Sequence, residues 1–545
     1  MKEGFRQSMA WLHTWSGLLV CWILLLVFCA GTASYYRAEI TLWMQPELHA
    51  AASNTVSTEQ AAATAQSAMQ ERAQGATRWF ITLPGERNPA LQLGWSKPSK
   101  PGEKKKGRRG NFHSEKADPS TGEVLSKPRE TRGGEFLYRL HFDLHYMSAL
   151  WARWIVGFCA MFMLVSIISG IVTHKRIFKD LFTFRPKKGQ RSWLDAHNVA
   201  AVLPLPYHLM ITYTGLVTLM FMYMPSGVTT AYKGDQDAFF SEAFPARAGE
   251  AKAAGVAAPL TPFAPLVRQA EQKWGAQVGL VSVNLPSDAN ATVTLRRAGG
   301  RDMSSKQPTM EFDGVSGKLL ATYGDDPGGA SSTHGVMVGL HIANFASPLL
   351  RALFFLSGLA GCAMVATGAL LWAVKTRQKQ AKALAAGKRP GFGLRLVEAL
   401  NIGAIAGIPI AFGAYFWANR LLPAGLEERP KEEIACFFGA WALAAIVAQL
   451  RPTRAMWRLQ LTVGAILLAG LPLLNVFTTQ SHLGVTLFMG RGPVAVAAFD
   501  LVMLMLGLGL AYAAVKLKPL PARAAKAARP AVKADVTPDT AAGAA

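Results

Sequence analysis

The feature that most constrains this chain is a series of apolar stretches, each long enough to cross a lipid bilayer. About 20 apolar residues in a helix span the hydrocarbon core of a membrane, and the chain, with 51% hydrophobic residues, contains eight such windows. They lie near Trp11 to Tyr35, Trp151 to Thr173, Val199 to Tyr223, Pro348 to Val374, Val397 to Ala418, Ile434 to Leu450, Leu459 to Thr478 and Pro493 to Val515. We therefore predict an all-α polytopic membrane protein of about eight transmembrane helices, with both termini on one side.

The basic residues predict which side of the membrane each loop faces. Much of the net charge of +23 comes from short connections, from Lys175 to Arg191, from Lys375 to Arg395 and from Arg451 to Arg458. Short loops rich in Lys and Arg stay in the cytoplasm, so both termini are predicted to be cytoplasmic. This placement explains the charge without nucleic acid as a partner. The basic stretch from Lys97 to Arg109 lies in a long loop on the other side, as a solvated loop or as a patch for an anionic ligand.

Two long segments between spans are predicted to fold as small α+β domains on the non-cytoplasmic side. They occupy residues 37–150 and 224–346, each inserted between the two helices of one half of the chain. Each shows a helical pattern followed by alternating apolar strands. Each also contains the turn pattern Asp-x-x-Ser/Thr-Gly-x-x-Leu, which starts at Asp118 and at Asp313. The shared order indicates that the two domains are related by duplication.

The helices around these domains show the same duplication, because histidines, arginines and glycines recur at matching spacings. The spacing is 18 residues from His13 to Gly31 and from His197 to Gly215, and 17 residues from Arg153 to Gly170 and from Arg351 to Gly368. Two helices from each half therefore predict a four-helix bundle with internal symmetry. The glycines either permit close helix packing or leave room for a flat macrocycle. The side chains of Arg153 and Arg351 either pair with the propionate groups of a bound macrocycle such as haem or extend toward the membrane interface.

Eight of the eleven histidines gather around these four helices. The cytoplasmic ends carry His13, His174 and His197, the outer approaches carry His141, His145, His334 and His341, and the third span contains His208. A histidine at a helix end is ordinarily an interfacial hydrogen-bonding residue, and that interpretation stays open. Neutral imidazole is also a standard axial ligand of haem iron, and the clustering favours that role.

The length of the helices predicts two haem sites, one near each membrane face. The 29 residues from His145 to His174 correspond to about 43 Å of helix, which exceeds the roughly 30 Å apolar core. The inner site is assigned to His13 and His197, with His174 or His208 as the alternatives.

The outer site is assigned to His145 and His341, with His141 and His334 as second choices. His141 and His145 would lie one turn apart on the same helix face, so only one of them is needed. The five cysteines lie within or at the edges of apolar spans, and the chain has no Cys-x-x-Cys-His attachment motif. Any haem is therefore expected to be non-covalent haem b.

The last four spans have no histidine within them, so we do not expect them to bind haem. Asn475 and Asp500 lie at the outer ends of the seventh and eighth spans. Either the Asp500 carboxylate has a functional role or the two residues form a structural pair.

The predicted organisation is a transmembrane helix in residues 1–36, a domain in 37–150, the second and third transmembrane helices with a cytoplasmic loop in 151–223, a second domain in 224–346, a fourth transmembrane helix in 347–376, a C-terminal four-helix membrane region in 397–516 and a disordered cytoplasmic tail in 517–545.

Several sequence runs resemble the motifs of the PepSY-associated transmembrane family, whose characterised relatives include bacterial inner-membrane ferric-siderophore reductases. The runs are His174-Lys-Arg-Ile-Phe-Lys-Asp-Leu-Phe-Thr-Phe-Arg-Pro, Ser192-Trp-Leu-Asp-Ala-His197, Leu205-Pro-Tyr-His208-Leu-Met-Ile-Thr-Tyr-Thr-Gly215, His13-Thr-Trp-Ser-Gly17, and Leu340-His341 through Arg351 to Leu371-Trp372. The resemblance covers about Met1 to Arg377 and implies b-type haem, PepSY-like periplasmic domains and electron transfer to periplasmic iron complexes. The four additional C-terminal spans depart from the four-helix members of the family.

These observations predict an inner-membrane ferric-siderophore reductase that carries two haem b and passes electrons outward to a ferric siderophore in the periplasm. The chain has no glycine fingerprint of a dinucleotide site after a strand, so the electron donor must be separate, either a quinol or a cytoplasmic reductase. Two alternatives stay open. One is a PepSY-type peptide-binding or regulatory membrane protein without redox activity. The other is a siderophore or iron transporter.

Overall fold

A computed structural model describes residues 3–49, 56–98, 112–125, 128–174, 177, 185–186, 188–243, 252–300, 302–326 and 328–517. Most of the predicted basic loop from Lys97 to Arg109 lies outside these ranges. So do nearly all of the predicted C-terminal tail, from Lys518 onward, and most of the run that follows His174. The statements below concern the described residues.

The described residues form a largely helical protein with one sheet. The helices are α1 (Glu3–Ser34), α2 (Arg37–Trp43), α3 (Thr58–Arg72), α4 (Gly133–Asp143), α5 (Ala149–Thr173), α6 (Gln190–Val202), α7 (Leu205–Thr218), α8 (Met220–Tyr223), α9 (Ser226–Ala231), α10 (Gln236–Ala243), α11 (Phe263–Trp274), α12 (Gly329–Ile342), α13 (Pro348–Lys379), α14 (Ala381–Ala385), α15 (Phe392–Asn401), α16 (Gly407–Leu421), α17 (Arg429–Leu450), α18 (Arg454–Ala469), α19 (Leu471–Thr478) and α20 (Val494–Lys516). The strands are β1 (Arg78–Thr82), β2 (Leu91–Ser96), β3 (Phe112–Ala117), β4 (Val278–Asn284), β5 (Thr292–Arg297), β6 (Thr309–Asp313) and β7 (Leu319–Tyr323).

Seven helices in the described ranges are long and apolar enough to cross a membrane, as expected of a polytopic membrane protein. An eighth span results if α6 and α7 are counted together, although they meet at an angle of 65°. The sequence predicted a continuous third span from Val199 to Tyr223, and the bend corrects that prediction. Pro204 and Pro206 fall at the break, where a proline removes a backbone donor and its ring clashes with the preceding turn.

Four of the long elements form a bundle. Helix α1 packs against α5 and α13, α6 packs against α13, and α7 packs against α5. Small residues allow the close approach: a Cβ built on Gly358 would lie 2.4 Å from Thr32 Oγ1, and one on Gly157 would lie 2.2 Å from the Tyr223 ring. Helix α1, which carries His13, therefore lies opposite the bent α6–α7 pair. Helices α5 and α13 lie between them.

The helices that lead into α5 and α13 are separate elements, which corrects the expectation of one helix from His145 to His174. Helix α4 ends at Asp143, and Leu144, His145 and Tyr146 all have left-handed backbone angles, with φ of 51°, 55° and 45°. In the second half, α12 ends in the same way at Ala343, where φ is 56°. Each half thus has a short helix that is turned relative to the span that follows it.

The two insertions share one sheet, whereas the sequence predicted two separate domains. The strand order is β3-β2-β1-β4-β5-β6-β7, with every pair antiparallel, and β1 pairs with β4 so that Ile81 lies opposite Val281. Helices α3 and α11 pack on the same core, and the Gln66 side chain of α3 bonds to the backbone at Thr261 and Phe263. Each half supplies one helix and its strands, but the hydrophobic core is common to both.

Local features of the insertions agree with the sequence pattern. The Ser57 hydroxyl accepts a hydrogen bond from the Gln60 N–H and caps α3. The two predicted turns form in the same way, since the carboxylates of Asp118 and Asp313 each accept hydrogen bonds from backbone N–H groups two and three residues later.

The C-terminal helices contact α2 through a buried polar cluster. Asn475 Nδ2 donates to both carboxylate oxygens of Asp500 at 2.9 Å, which is the structural pair that the sequence left as one alternative. The Trp43 indole N–H of α2 donates to the same carboxylate at 2.8 Å. The ring of Trp43 is fully buried against Phe416 and Phe499. This contact fixes α2 on the C-terminal region.

We expect Ile81→Ala to loosen both insertions together, because Ile81 is fully buried at the strand pair that joins them. A buried isoleucine truncated to alanine costs about 2–5 kcal/mol of unfolding free energy. Hydrogen exchange measured by mass spectrometry should increase in β4 and β5 as well as in β1 and β2. Leu320→Ala on β7, where the side chain is 51% exposed, is the control. Faster exchange confined to β1–β3 would show that the two insertions are independent.

Candidate functional site

One pair of histidines lies in the bundle at the end far from the sheet. The ring centroids of His13 on α1 and His197 on α6 are 6.2 Å apart, with the ring planes at 68°. His13 Nδ1 lies 2.8 Å from the Ser166 carbonyl oxygen of α5, and His197 Nδ1 lies 2.9 Å from the Met364 carbonyl oxygen of α13. A carbonyl only accepts, so each Nδ1 carries the proton and each Nε2 of the neutral ring keeps its lone pair.

A second pair lies at the end of the bundle next to the sheet. The ring centroids of His141 on α4 and His341 on α12 are 6.0 Å apart, with the ring planes at 33°. His141 Nδ1 lies 2.7 Å from the Val27 carbonyl oxygen of α1. His341 Nδ1 lies 3.1 Å from Thr214 Oγ1 of α7. As in the first pair, the side chain comes from one helix and the group that holds its Nδ1 comes from another.

Each of the four imidazole rings rests on a glycine of the neighbouring helix. A Cβ built on the glycine would lie close to the nearest ring atom in every case. The distance is 3.2 Å from Gly170 to His13, 3.2 Å from Gly368 to His197, 2.6 Å from Gly31 to His141 and 2.9 Å from Gly215 to His341. For three of the rings, the glycine stands four residues after the residue whose carbonyl bonds to Nδ1, as in Val27 with Gly31, Ser166 with Gly170 and Met364 with Gly368. For His341, the partner of Nδ1 is the hydroxyl of Thr214, the residue directly before Gly215.

Helix geometry explains this pairing of carbonyl and glycine. The side chain at position i+4 of a helix lies on the same face as residue i, beside its carbonyl oxygen. A glycine at that position uncovers the oxygen, so that a histidine from another helix can bond to it. The glycines that end the matching spacings of 18 and 17 residues are therefore the glycines on which the four rings rest. The sequence alone did not reveal this role.

The structure does not place His145 opposite His341, although His145 was the first choice for the outer site. The left-handed backbone at Leu144 and His145 turns this side chain away from the face that carries His141. The ring of His145 instead stacks on Phe438 of α17, at 5.6 Å between centroids and 12° between planes. The second choice, His141, occupies the position opposite His341.

The remaining three candidate histidines lie elsewhere. His174 ends α5, and its Nε2 lies 3.1 Å from the side-chain amide of Asn198. His334 packs beside Phe221, with 5.4 Å between ring centroids. His208 is fully buried within the bundle, with its ring 6.2 Å from the ring of Phe28. These three rings do not belong to either of the two imidazole pairs.

The two matched arginines bond to protein carboxylates. Arg153 Nε donates to Asp143 at 2.8 Å, and Arg351 Nη1 lies 3.3 Å from Glu39, which also binds Arg87. The sequence patterns did not single out either carboxylate. Arg153 thereby ties the end of α4 to α5, across the left-handed turn.

Burial keeps the pair next to the sheet uncharged. Helices α4 and α12 lie outside the seven candidate spans. Burial lowers the pKa of His141, and burial together with the neighbouring His141 ring lowers the pKa of His341 to about 3. Both rings are therefore neutral near pH 7, which is the form that binds a metal ion through nitrogen.

A large cleft of about 3400 Å³ opens between the sheet and the bundle. Basic and acidic side chains both line its sheet side, among them Arg296, Arg297 and Asp302. Its bundle side includes Thr32, which follows the glycine under His141. The cleft thus reaches from a polar surface of mixed charge to within one helical turn of the second histidine pair.

We expect Gly31→Ala to destabilise the protein, because the new methyl group would lie 2.6 Å from the His141 ring. Such overpacking costs about 1–3 kcal/mol. Gly439→Ala is the matched control, since a Cβ at Gly439 in α17 meets nothing within 4 Å and alanine favours a helix. Thermal unfolding in detergent should give a lower midpoint for Gly31→Ala only. Equal midpoints would contradict the packing of His141 on Gly31.

Comparison with known proteins agrees with this architecture. The family described as the PepSY-associated TM region matches residues 10–375, a range that contains all eight candidate histidines. An uncharacterized protein of Pseudomonas aeruginosa is 26% identical over 375 residues, which cover 64% of this chain and 87% of that protein. The family match ends at the close of α13, before the C-terminal membrane region. The chain therefore belongs to the PepSY-associated transmembrane family.

Proposed function

We propose that the protein binds two haem b and passes electrons across the membrane, one haem being held by His13 and His197 and the other by His141 and His341. The observation that carries the proposal is the fourfold repeat of one arrangement, in which a half-buried imidazole bonds through Nδ1 to a neighbouring helix and rests on a glycine. Such a bond fixes the tautomer and the ring orientation of a metal-binding histidine.

The distance within each pair would allow its two imidazoles to hold one haem iron between them. Bonds of about 2 Å from a metal to imidazole nitrogen place the two nitrogens about 4 Å apart. Each ring centroid lies about 1 Å behind its nitrogen, and centroids at 6.2 Å and 6.0 Å agree with that geometry. When bound, haem b would supply a one-electron carrier at each site.

The residues of the chain would hold these carriers at two depths. His13 and Gly31, which contacts His141, are 18 residues apart on α1, or about 27 Å along the helix. Three carbonyl groups and the Thr214 hydroxyl would orient the ligands. This arrangement supports electron transfer along the bundle, from a quinol or a cytoplasmic reductase toward the sheet side.

The proposed acceptor is a ferric siderophore, bound in the cleft on the sheet side. One electron reduces Fe(III) to Fe(II), which hard oxygen ligands hold less tightly. Arg296 on the wall of the cleft would offer a cation to an anionic chelate, whereas Arg87 and Arg297 are paired with Glu39 and Asp302. The protein would then lie in a bacterial inner membrane, with both termini in the cytoplasm and the sheet in the periplasm.

We expect His141→Ala and His341→Ala each to lose the haem next to the sheet, about half of the haem per protein, because each removes one axial ligand. His13→Ala and His197→Ala should lose the other half. His145→Ala is the matched control and should keep the full amount, since this ring stacks on Phe438. Pyridine haemochrome absorbance against protein mass measures the ratio. Loss of haem in His145→Ala but not in His141→Ala would contradict the assignment.

The direction of transfer can be measured in sealed vesicles of known orientation. With chemically reduced protein, a ferric siderophore added on the sheet side should reoxidise the haem and deliver Fe(II) to a ferrous chelator. The same siderophore added on the opposite side should have no effect. Reoxidation from the opposite side alone would refute the proposed direction. A protein that contains no haem would instead favour a peptide-binding or regulatory role for the sheet.

A further inference from the structure

The C-terminal membrane region, which the family match does not cover, contacts the segment that leads into α4. We call residues 129–134 the lead-in segment. The contacting side chains, Tyr415, Asn419, Arg429 and Glu433, are called the C-terminal cluster, and each is 0% exposed. Such complete burial of an arginine and a glutamate requires that each has partners within the protein.

Four hydrogen bonds join the lead-in segment to the C-terminal cluster. The Tyr415 hydroxyl donates to the Gly133 carbonyl at 3.0 Å, Arg429 Nη1 donates to the Glu130 carbonyl at 3.1 Å, Thr131 Oγ1 donates to Glu433 Oε2 at 2.5 Å, and Arg129 Nη1 donates to the Asn419 carbonyl at 2.9 Å. Both the backbone and the side chains of the segment are therefore held.

The cluster itself has little freedom to rearrange. Arg429 and Glu433 form a fully buried ion pair one helical turn apart. Asn419 Nδ2 donates to Glu433 Oε1 at 2.8 Å, and Arg429 Nη2 donates to the Asn419 carbonyl at 2.5 Å. Because any shift would leave a buried charge or amide without a partner, the cluster specifies one position for the lead-in segment.

The same region contacts the first turn of α4 and a residue just beyond its end. Phe136, in the first turn of α4, packs against Tyr415 at 5.0 Å and Phe437 at 5.3 Å between ring centroids. Beyond the end of the helix, His145 stacks on Phe438. His141 lies between these contacts, eight residues after the start of α4 at Gly133, or about 12 Å along the helix.

We propose that the C-terminal membrane region is a scaffold that positions α4 and so sets the orientation of His141 toward His341. The inference rests on the proposed function, in which this pair holds a haem. Tyr415 and Thr131 are positioning residues, since they act on the site through α4. The orientation and the hydrogen bonding of axial histidines tune the reduction potential of haem iron, so the scaffold affects the site next to the sheet and leaves the other site unchanged.

The test uses the full-length protein with two mild substitutions. Tyr415→Phe removes the hydroxyl that binds Gly133, and Thr131→Val removes the one that binds Glu433. Tyr512→Phe is the matched control, because Tyr512 lies in the same region with 66% of its surface exposed. Each change is made in a His197→Ala background, which keeps the haem next to the sheet, and in a His341→Ala background, which keeps the other haem.

Redox titration and low-temperature electron paramagnetic resonance then report on each haem separately. We expect Tyr415→Phe and Thr131→Val to change the reduction equilibrium constant of the haem next to the sheet at least threefold and to shift its low-spin signal. The other haem should not change, and Tyr512→Phe should change neither.

Two results would overturn the scaffold. One is an unchanged haem next to the sheet in both variants, and the other is an equal change at both haems, which indicates general loosening. Both leave the proposed function intact, because the unmodified protein still binds two haem groups. An unmodified protein without haem would remove the proposed function and this inference together.

Discussion

The arrangement of the two histidine pairs depends on a hydrogen-bond partner for the Nδ1 of each half-buried imidazole. In an apolar bundle the Nδ1 proton of a histidine would be costly without a partner, and every backbone carbonyl of the neighbouring helix is already bonded within that helix. A carbonyl oxygen has a second lone pair, which a glycine four residues later makes accessible. Three carbonyl and glycine pairs, together with the Thr214 hydroxyl beside Gly215, thus decide which faces of α1, α5, α7 and α13 turn inward and at what depth each ring lies.

The same constraint shows how far the sequence was informative. Apolar windows indicated the spans, because the bilayer sets the length of a helix, and the matching spacings drew attention to His13 and His197, whose rings are adjacent in the structure. The sequence did not show why the glycines recur. Their meaning depends on which helix packs on which, and spacing within one helix does not contain that information.

Other differences have comparable physical causes. His145 and His141 would share a helix face only if the helix continued, and the left-handed turn at Leu144 ends it. His145 stacks on Phe438, which belongs to a span far away in the sequence, so local sequence patterns could not predict this contact. The pairing of β1 with β4 likewise joins strands from different insertions, and alternating apolar residues in each strand do not specify that partner.

The central claim is that two pairs of histidines bind haem at two depths of one bundle. Electron paramagnetic resonance of the oxidised protein, together with its haem content, measures this most directly. The account predicts two haem b per chain, both low-spin with two imidazole ligands, and distinct signals because the ring planes differ by 68° in one pair and 33° in the other. A protein purified from haem-replete cells with no haem, or with iron in only high-spin form, would contradict it.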